Sequence, residues 1–267
     1  MALNRDALAM LEATSRTFFI PISRLPDGLQ EAVGAAYLCM RALDEIEDHP
    51  SLDAARKVRL LRRVSLSFQA WTGFQRPPVD DFASLLAPYQ SLLPEVSLRL
   101  GEWAACAPAF IASRIWDTLA ATADRMAYWV ARGWNIQTET DLNRYTYAVA
   151  GTIGILLCDI WAWFDGAQMD RTQALCFGRG LQAVNILRNR ADDLARGVDF
   201  FPTGWSRDEM DAYARRNLAA ADEVTLPPGP YGAFIRIPSL LAYATLDALA
   251  RGESKLSRSD VLRLVQV

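Results

Sequence analysis

The sequence predicts an all-α fold. Apolar residues recur three and four positions apart over nearly the whole chain, which is the spacing of helix faces. Alanine, leucine and arginine dominate, and stretches typical of strands are few. The chain is 51% hydrophobic and 22% charged, so it can bury a sizeable core. No repeat or shift in composition divides the 267 residues, and one domain over 1–267 is the simplest interpretation.

The apolar spacing predicts nine helices, taken here in chain order. They cover residues 4–20, 27–48, 51–73, 80–95, 108–132, 139–164, 168–195, 206–221 and 232–250. The turn Leu25–Gly28 precedes the second helix, and the prolines of Arg76–Pro78 separate the third from the fourth. Ser206, followed by two acids, is an N-cap for the eighth helix. The proline-rich segment Thr225–Pro230 separates the eighth helix from the ninth.

Charge and metal-binding residue types exclude several functions. The net charge is −3 and basic residues form no contiguous run, so no nucleic-acid surface is predicted. His49 is the single histidine, which excludes histidine-rich metal sites and makes it the only imidazole for a Ser-His-Asp triad. The four cysteines are scattered in apolar sequence without a CxxC pair, as is typical of buried thiols in a reducing cytoplasm.

The longest apolar stretch, Val149–Phe164, is too short to span a bilayer and contains Asp159. We interpret it as a buried helix. Residues 1–12 lack the basic and apolar regions of a signal peptide. These features predict a soluble cytoplasmic protein, and its eight tryptophans are compatible with loose membrane association.

Two acidic clusters, 41–48 and 185–193, each contain arginine and are embedded in apolar helical sequence. Residues four apart share a helix face. The pairs that project together are Asp44 with Asp48 and Asn189 with Asp193. Asn185 extends the second pair into a polar stripe, which is costly to bury unless a cation or another partner binds it.

If the two helices face each other, four oxygen-bearing side chains converge in a hard, anionic site. Such a site suits Mg2+ that carries a substrate phosphate. A single charged pair of this kind usually faces water, and that is the alternative interpretation of each cluster taken alone. The presence of two such clusters, each with its own arginine, favours the metal site.

Six segments follow one another along almost the whole chain: Ser15–Phe18 with Arg24–Pro26, Cys39–Asp48, Tyr145–Gly154, Gln182–Arg188, Gly197–Pro202 and Ile237–Leu246. Together they resemble the squalene/phytoene synthase family of head-to-head prenyl transferases. The last segment is more similar to squalene synthases than to phytoene synthases, and the bacterial squalene synthases are the nearest branch. The resemblance implies an all-α, isoprenoid synthase-type helical bundle around a central cavity.

The resemblance implies condensation of two farnesyl diphosphates, through presqualene diphosphate, to squalene. Mg2+ would assist the departure of diphosphate, and hydride from NADPH would quench the final cation. The chain has no GxGxxG motif, but the family binds NADPH without one, so the use of NADPH is left open. The implied partners are prenyl diphosphates, with peripheral membrane contact for product release, and the oligomeric state is open.

Alternative functions stay open at this point. The product could be dehydrosqualene, phytoene or presqualene diphosphate, formed without the reductive step. A cyclising terpene synthase would use a single farnesyl diphosphate. Some relatives keep the fold but act as binding or assembly proteins without catalysis.

The resemblance also implies roles for individual residues. The Mg2+ ligands are Asp44, Asp48, Asn189 and Asp193, with Glu47 and Asp192 nearby. The diphosphate-binding residues are Ser15, Thr17, Arg41, Gln182, Asn185 and Arg188. Tyr147, and after it Tyr145, would act in catalysis by handling the proton or the cation. The hydrophobic pocket would be lined by Phe18, Gly151 and Gly154.

Each of these roles has a structural alternative. For Arg41 and Arg188 the alternative is a salt bridge to neighbouring acids. For Ser15 and Thr17 it is helix capping. For the two glycines it is tight packing of helices with no ligand.

Four positions depart from the family pattern. Asn189 stands where an aspartate is usual, Asp192–Asp193 replaces Glu-Asp, Val198 replaces an arginine, and Ala148 takes a place that is tyrosine in some relatives. An amide oxygen can ligate Mg2+ but brings no negative charge, so weaker metal binding is expected. Val198 removes one contact that an arginine could make to phosphate.

Overall fold

The computed structural model describes residues 3–71, 79–222, 230–254 and 256–265. These residues form α-helices, a 3-10 turn (Ala87–Tyr89) and a π-helical turn (Tyr147–Gly151), and no strand. The helices are α1 Arg5–Thr14, α2 Arg16–Ser23, α3 Leu29–Glu47, α4 Ala54–Gln69, α5 Val79–Leu86, α6 Glu95–Leu98, α7 Leu100–Ala105, α8 Ala109–Ala131, α9 Glu139–Thr146, α10 Thr152–Asp165, α11 Arg171–Ala195, α12 Arg207–Asp222, α13 Tyr231–Ala250 and α14 Arg258–Val265. The all-α prediction is confirmed.

The helix predicted over 4–20 is broken at Ser15. The extended backbone of Ser15 (φ −144°, ψ 103°) separates α1 from α2. Its hydroxyl accepts a hydrogen bond from the Phe18 amide at 3.0 Å and so caps α2. The local capping bond therefore outweighs the continuous apolar spacing, and α2 runs on through Pro21 to Ser23.

Other boundaries differ where helices are short. The predicted helix 80–95 ends at Leu86 and passes into the 3-10 turn, because Pro88 has no N–H to continue the α-helical hydrogen bonds. The sequence pattern does not predict α6, α7 and α14, which have four, six and eight residues and show little apolar periodicity. The predicted breaks at Arg76–Pro78 and over most of Thr225–Pro230 lie outside the described residues.

The chain divides into two compact units. The first contains residues 1–133 and 159–166, and the second contains residues 134–158 and 167–267. The boundary falls within α10. The single domain over 1–267 stays a prediction.

In the first unit, α4 packs along α8, and α3 packs against α6, α7 and α8. The Trp71 ring joins the end of α4 to α5 and α8, since its centroid lies 4.9 Å from those of Phe82 in α5 and Trp116 in α8. The Ser97 hydroxyl donates a hydrogen bond to the Ala42 carbonyl at 3.0 Å and ties α6 to α3. These contacts fix the helix that carries the first acidic cluster.

In the second unit, α11 packs against α12, α13 and the π turn. Gly154 makes the close approach possible, because a Cβ there would lie 2.0 Å from the Ala174 carbonyl oxygen. Tyr213 of α12 ties α9 to this core by donating a hydrogen bond to the Asn143 side-chain oxygen at 2.8 Å. The helix that carries the second acidic cluster is thus held on several sides.

The helical stretch Glu139–Asp165 comprises α9, the π turn and α10. Its 27 residues, with a mean hydropathy of 1.5 in the most apolar window, are long and apolar enough to cross a membrane. Half of that window is buried inside the protein. A buried core helix meets the same criteria of length and composition as a helix that spans a membrane. Leu156, Ile160 and Trp161 are buried.

Candidate functional site

The first acidic cluster lies at the C-terminal end of α3. Asp44 is in the last turn, and Asp48 is the C-cap residue, whose amide donates to the Asp44 carbonyl at 2.8 Å. The last turn has no basic residue. Because the C-terminal end of a helix carries partial negative charge, carboxylates there destabilise the helix unless a cation compensates them. This placement indicates a cation-binding end.

The negative charge of an ionised Asp44 carboxyl is poorly compensated by nearby cations. Burial, and then the Asp48 carboxylate, raise the pKa of Asp44 to about 8. Arg41 opposes this shift, but its guanidinium forms its ion pair with Glu45. The salt-bridge alternative for Arg41 is therefore present. A divalent cation would favour the ionised carboxyl, so these side chains fit a hard metal ion.

The segment 15–18 lies beside the polar side of α3. The rings of Phe18 and Tyr37 are 5.5 Å apart. Burial raises the pKa of Tyr37, a hydrogen bond with Ser15 lowers it, and the Asp44 charge raises it. Ser15, Phe18 and Asp44 therefore surround one tyrosine, while Ser15 also makes the capping bond. Thr17 is half-buried in the first turn of α2.

Lys57, which no sequence pattern singles out, holds the end of α3. Its Nζ donates a hydrogen bond to the Glu47 carbonyl at 2.5 Å, and both side chains are buried. A cation at these last carbonyls offsets the negative end of the helix. The contact joins α3 to α4, so no spacing within one helix reveals it.

The second acidic cluster forms the predicted stripe on α11. Arg188 donates two hydrogen bonds, from Nη2 to Asn185 Oδ1 at 3.0 Å and from Nε to Asn189 Oδ1 at 3.1 Å. Asp193 is buried and pairs with Arg196. The oxygens predicted to bind a metal are thus bound by guanidinium groups. The donor types of Asn189 and Asp193 fit Mg2+, and a cation at Asn189 would be repelled by the Arg188 guanidinium unless that group moves.

Tyr145 and Tyr147 lie at the start of the π turn. Tyr145 is 4% exposed and stacks on Phe200, with 4.8 Å between the ring centroids and 17° between the planes. Tyr147 is half-buried and opens the turn. Such π turns within helices occur frequently at functional sites. Both tyrosines lie in a segment that the sequence singles out, whereas the π turn and Phe200 have no signal in the sequence.

The loop 197–202 is fastened to the end of α11. The Val198 amide donates to the Asp193 carbonyl at 3.0 Å. Arg190 pairs with Asp199 at 3.0 Å and lies 3.7 Å over the Phe201 ring. Through Phe200, this loop links Tyr145 to the second acidic cluster. These contacts lie outside the spacing rules of a single helix, so the sequence pattern does not predict them.

Gly151, Gly154, Gln182 and His49 are the remaining residues that the sequence singles out. A Cβ on Gly151 would lie 2.4 Å from Leu175 Cδ1, so both glycines allow α11 to approach closely. Their role in a pocket stays a prediction. Gln182 is half-buried on α11. His49 bonds main-chain groups with both ring nitrogens, accepting from the Ser51 amide and contacting the Leu92 carbonyl.

The first cluster belongs to the first unit and the second cluster to the second unit. Among the residues that the structure describes, no group of three or more His, Cys, Asp or Glu side chains forms a metal site. Convergence of Asp44, Asp48, Asn189 and Asp193 on one ion stays a prediction.

Comparison with known proteins shows the family. The family model described as "Squalene/phytoene synthase" matches residues 11–212, which include both acidic clusters, the π turn and the loop 197–202. Squalene synthase of Schizosaccharomyces pombe is 30% identical over 215 residues, covering 76% of this chain and 45% of that protein. Squalene synthase of Homo sapiens is 26% identical over 211 residues, covering 74% and 46%. The chain therefore spans about half the length of the curated relatives that it matches.

Solved structures show the same fold. A ligand complex of TcSQS has a TM-score of 0.78 at 22% identity, covering 98% of this chain and 84% of the other. A dehydrosqualene synthase in complex with a ligand has a TM-score of 0.65 at 16% identity, covering 98% and 93%. The isoprenoid synthase-type fold expected from the sequence is thereby confirmed. Since the family model covers well over half of its residues, the chain belongs to the squalene/phytoene synthase family.

Proposed function

We propose that this protein condenses two farnesyl diphosphates head-to-head, through presqualene diphosphate, to squalene. The observation that carries the proposal is the pair of acidic clusters, each in the last turns of a helix where a cation is favoured. The curated relatives named above, which are squalene synthases, support the same reaction.

Each acidic cluster supplies its own metal ligands in this proposal, Asp44 with Asp48 and Asn189 with Asp193. Mg2+ held by these residues would supply charge neutralisation for the departing diphosphate and so a lower barrier to ionisation. Arg188 leaves the two amide oxygens and donates instead to phosphate oxygens, because a guanidinium binds phosphate more strongly than a neutral amide.

Diphosphate oxygens would be bound by the residues that surround the metal ligands. These residues are Ser15, Thr17, Arg41, Gln182, Asn185 and Arg188. Arg41 must exchange its Glu45 partner for phosphate. In this proposal, Arg41 stays paired with Glu45, and Arg188 with the two amide oxygens, until the phosphate groups of the substrate replace these partners.

The carbocation must be kept from water and faced by aromatic rings, which stabilise positive charge. Phe18, Tyr145 and Tyr147 are the proposed rings. Tyr145 is almost fully buried and fixed by Phe200, so it can hold one orientation without solvent. Tyr147 is the proposed group that handles the proton.

Presqualene diphosphate as the final product is the second candidate. Asn189 supplies no charge to the second metal site, and its oxygen is already bound by Arg188. A weaker site could support the first ionisation and not the second. Use of NADPH separates the two candidates, because the hydride is needed only for squalene.

The test incubates the full chain with radiolabelled farnesyl diphosphate and Mg2+, with and without NADPH. Squalene with NADPH, accompanied by pyrophosphate release, is the expected result. Presqualene diphosphate that accumulates under both conditions supports the second candidate. No pyrophosphate and no product of thirty carbons would contradict both, and would leave a binding or assembly role.

The proposed partners are prenyl diphosphates, and the proposed location is the cytoplasm with peripheral contact to a membrane. The products named above are hydrocarbons or carry long hydrocarbon chains. Their transfer from protein to bilayer avoids exposure of apolar surface to water.

Asn189→Asp is expected to strengthen metal binding. The added carboxylate supplies a charged ligand, so the Mg2+ concentration that gives half of the thermal shift should fall about tenfold in the presence of pyrophosphate. The measurement is a Mg2+ titration of the melting temperature at fixed pyrophosphate. Asn135→Asp adds the same charge at an exposed position and is the control. An unchanged midpoint in Asn189→Asp would argue against Asn189 as a ligand.

A further inference from the structure

The solvent side of α4 is an arginine-rich face. Arg59, Arg62 and Arg63 are exposed, and residues three and four apart lie on the same side of a helix. Leu60 and Leu61 are buried on the opposite side. The helix is therefore amphipathic, with its charge concentrated on the side away from α8.

These arginines differ from Arg56 and Arg99, which carboxylates hold. Arg56 pairs with Asp53 at 3.3 Å, and Arg99 pairs with Glu95 and Glu102. In the parts of the chain that the structure describes, no carboxylate forms such a pair with Arg59, Arg62 or Arg63. Like charges three and four residues apart weaken a helix. Since the whole chain carries a net charge of −3, this local excess of positive charge favours an anionic partner.

An exposed apolar side chain continues the same side of the helix. Leu66 follows Arg62 and Arg63 by four and three residues, and 63% of it is exposed. Phe110, at the start of the neighbouring α8, is 80% exposed. Basic residues beside exposed apolar ones are typical of helices that lie on an anionic lipid surface. A soluble polyanion would use the arginines but not Leu66.

We propose that the face formed by Arg59, Arg62, Arg63 and Leu66 docks the protein on the anionic surface of a phospholipid membrane. The choice of a membrane rests on the proposed function, because the hydrocarbon product must leave for an apolar phase. The arginines contact lipid phosphates, and Leu66 enters the boundary between headgroups and acyl chains.

The test is cosedimentation of the full chain with large vesicles of phosphatidylcholine containing 30 mol% phosphatidylglycerol. Each basic residue near an anionic surface strengthens binding by about fivefold. The triple variant R59Q/R62Q/R63Q should therefore lose on the order of 100-fold in partition constant. Leu66→Gln should weaken binding by about tenfold with the arginines intact.

The control variant R5Q/R132Q/R251Q removes the same charge from exposed positions elsewhere and should bind as the unaltered chain does. Phosphatidylcholine vesicles and raised salt should abolish binding by the unaltered chain. Equal losses in the two triple variants would overturn the proposal. The proposal would also be overturned if Leu66→Gln bound vesicles as tightly as the unaltered chain and the unaltered chain bound heparin as tightly as vesicles. That pair of results indicates a soluble polyanion as partner.

Activity separates this proposal from the proposed function. With farnesyl diphosphate in detergent, R59Q/R62Q/R63Q should release pyrophosphate at the normal rate. Vesicle binding by a chain that releases no pyrophosphate would contradict the proposed function and leave the docking surface intact. Normal pyrophosphate release by a chain that does not bind vesicles would contradict the docking surface and leave the proposed function intact.

Discussion

Asp44→Asn should abolish pyrophosphate release and at the same time stabilise the metal-free protein. If Asp44 binds Mg2+ as proposed, its loss removes charge neutralisation of the leaving group, and the rate should fall on the order of 1,000-fold. Stability should rise because the asparagine removes a half-buried carboxyl beside Asp48 at the negative end of α3.

The sign of the stability change follows from proton linkage. The pKa of Asp44 is about 8 in the folded protein and 3.8 in its ordinary environment. Between these pH values the folded state retains the proton that the unfolded state loses, so the contribution of Asp44 to stability falls as the pH rises. Asparagine has no such dependence. The gain of Asp44→Asn should therefore be small near pH 5 and reach on the order of 5 °C in melting temperature at pH 8.

The experiment measures pyrophosphate release with Mg2+, and melting temperatures at pH 5 and pH 8 in EDTA. Asp27→Asn, which removes an exposed carboxylate before the start of α3, is the matched control and should change neither quantity much. A melting temperature that falls at pH 8, or a rate within tenfold of normal, would refute the assignment of Asp44.

Gly154→Ala should destabilise the protein strongly. The new Cβ would lie 2.0 Å from the Ala174 carbonyl oxygen, and both atoms belong to helix backbones that cannot rotate away. Overpacking of this kind costs about 3 kcal/mol, or on the order of 10 °C in melting temperature. If Gly154 only gave room to an isoprenoid chain, the same substitution would shorten the product and leave the melting temperature unchanged.

Gly151→Ala provides an internal comparison. Its Cβ would meet Leu175 Cδ1 at 2.4 Å, which is the end of a flexible side chain. The expected cost is about 1 kcal/mol, and Leu175→Ala in combination should relieve it. Leu175→Ala should not relieve Gly154→Ala, where the obstacle is backbone. Equal losses in the two glycine variants, measured by thermal unfolding, would contradict this account.

The helices themselves were largely predictable, because apolar periodicity is a local property of the chain. α3, α8 and α11 follow the predicted spans 27–48, 108–132 and 168–195 closely. The prediction was wrong at Ser15, where a side-chain hydrogen bond interrupts continuous apolar spacing. It also gave no sign of the π turn, since the extra residue in that turn leaves the residue types unchanged.

The candidate site was predictable to the same extent. The shared face of Asn185, Asn189 and Asp193 follows from the 3.6-residue period, and the i, i+3 pair of Asp193 with Arg196 was within reach of the same rule. The residues that hold the site came from elsewhere in the chain and had no such signal. Lys57 at the end of α3 and Phe200 on Tyr145 are examples.

The sequence by itself determined where the long helices lie, which side chains share a helix face, and the family to which the segments belong. Only the tertiary structure decided the partners across helices. It showed Arg188 on the two amide oxygens, the Ala174 carbonyl against Gly154, and three exposed arginines on one side of α4. The physical reason is that periodicity acts within a few residues, whereas hydrogen bonds, packing and burial depend on distances in space between residues far apart in the chain.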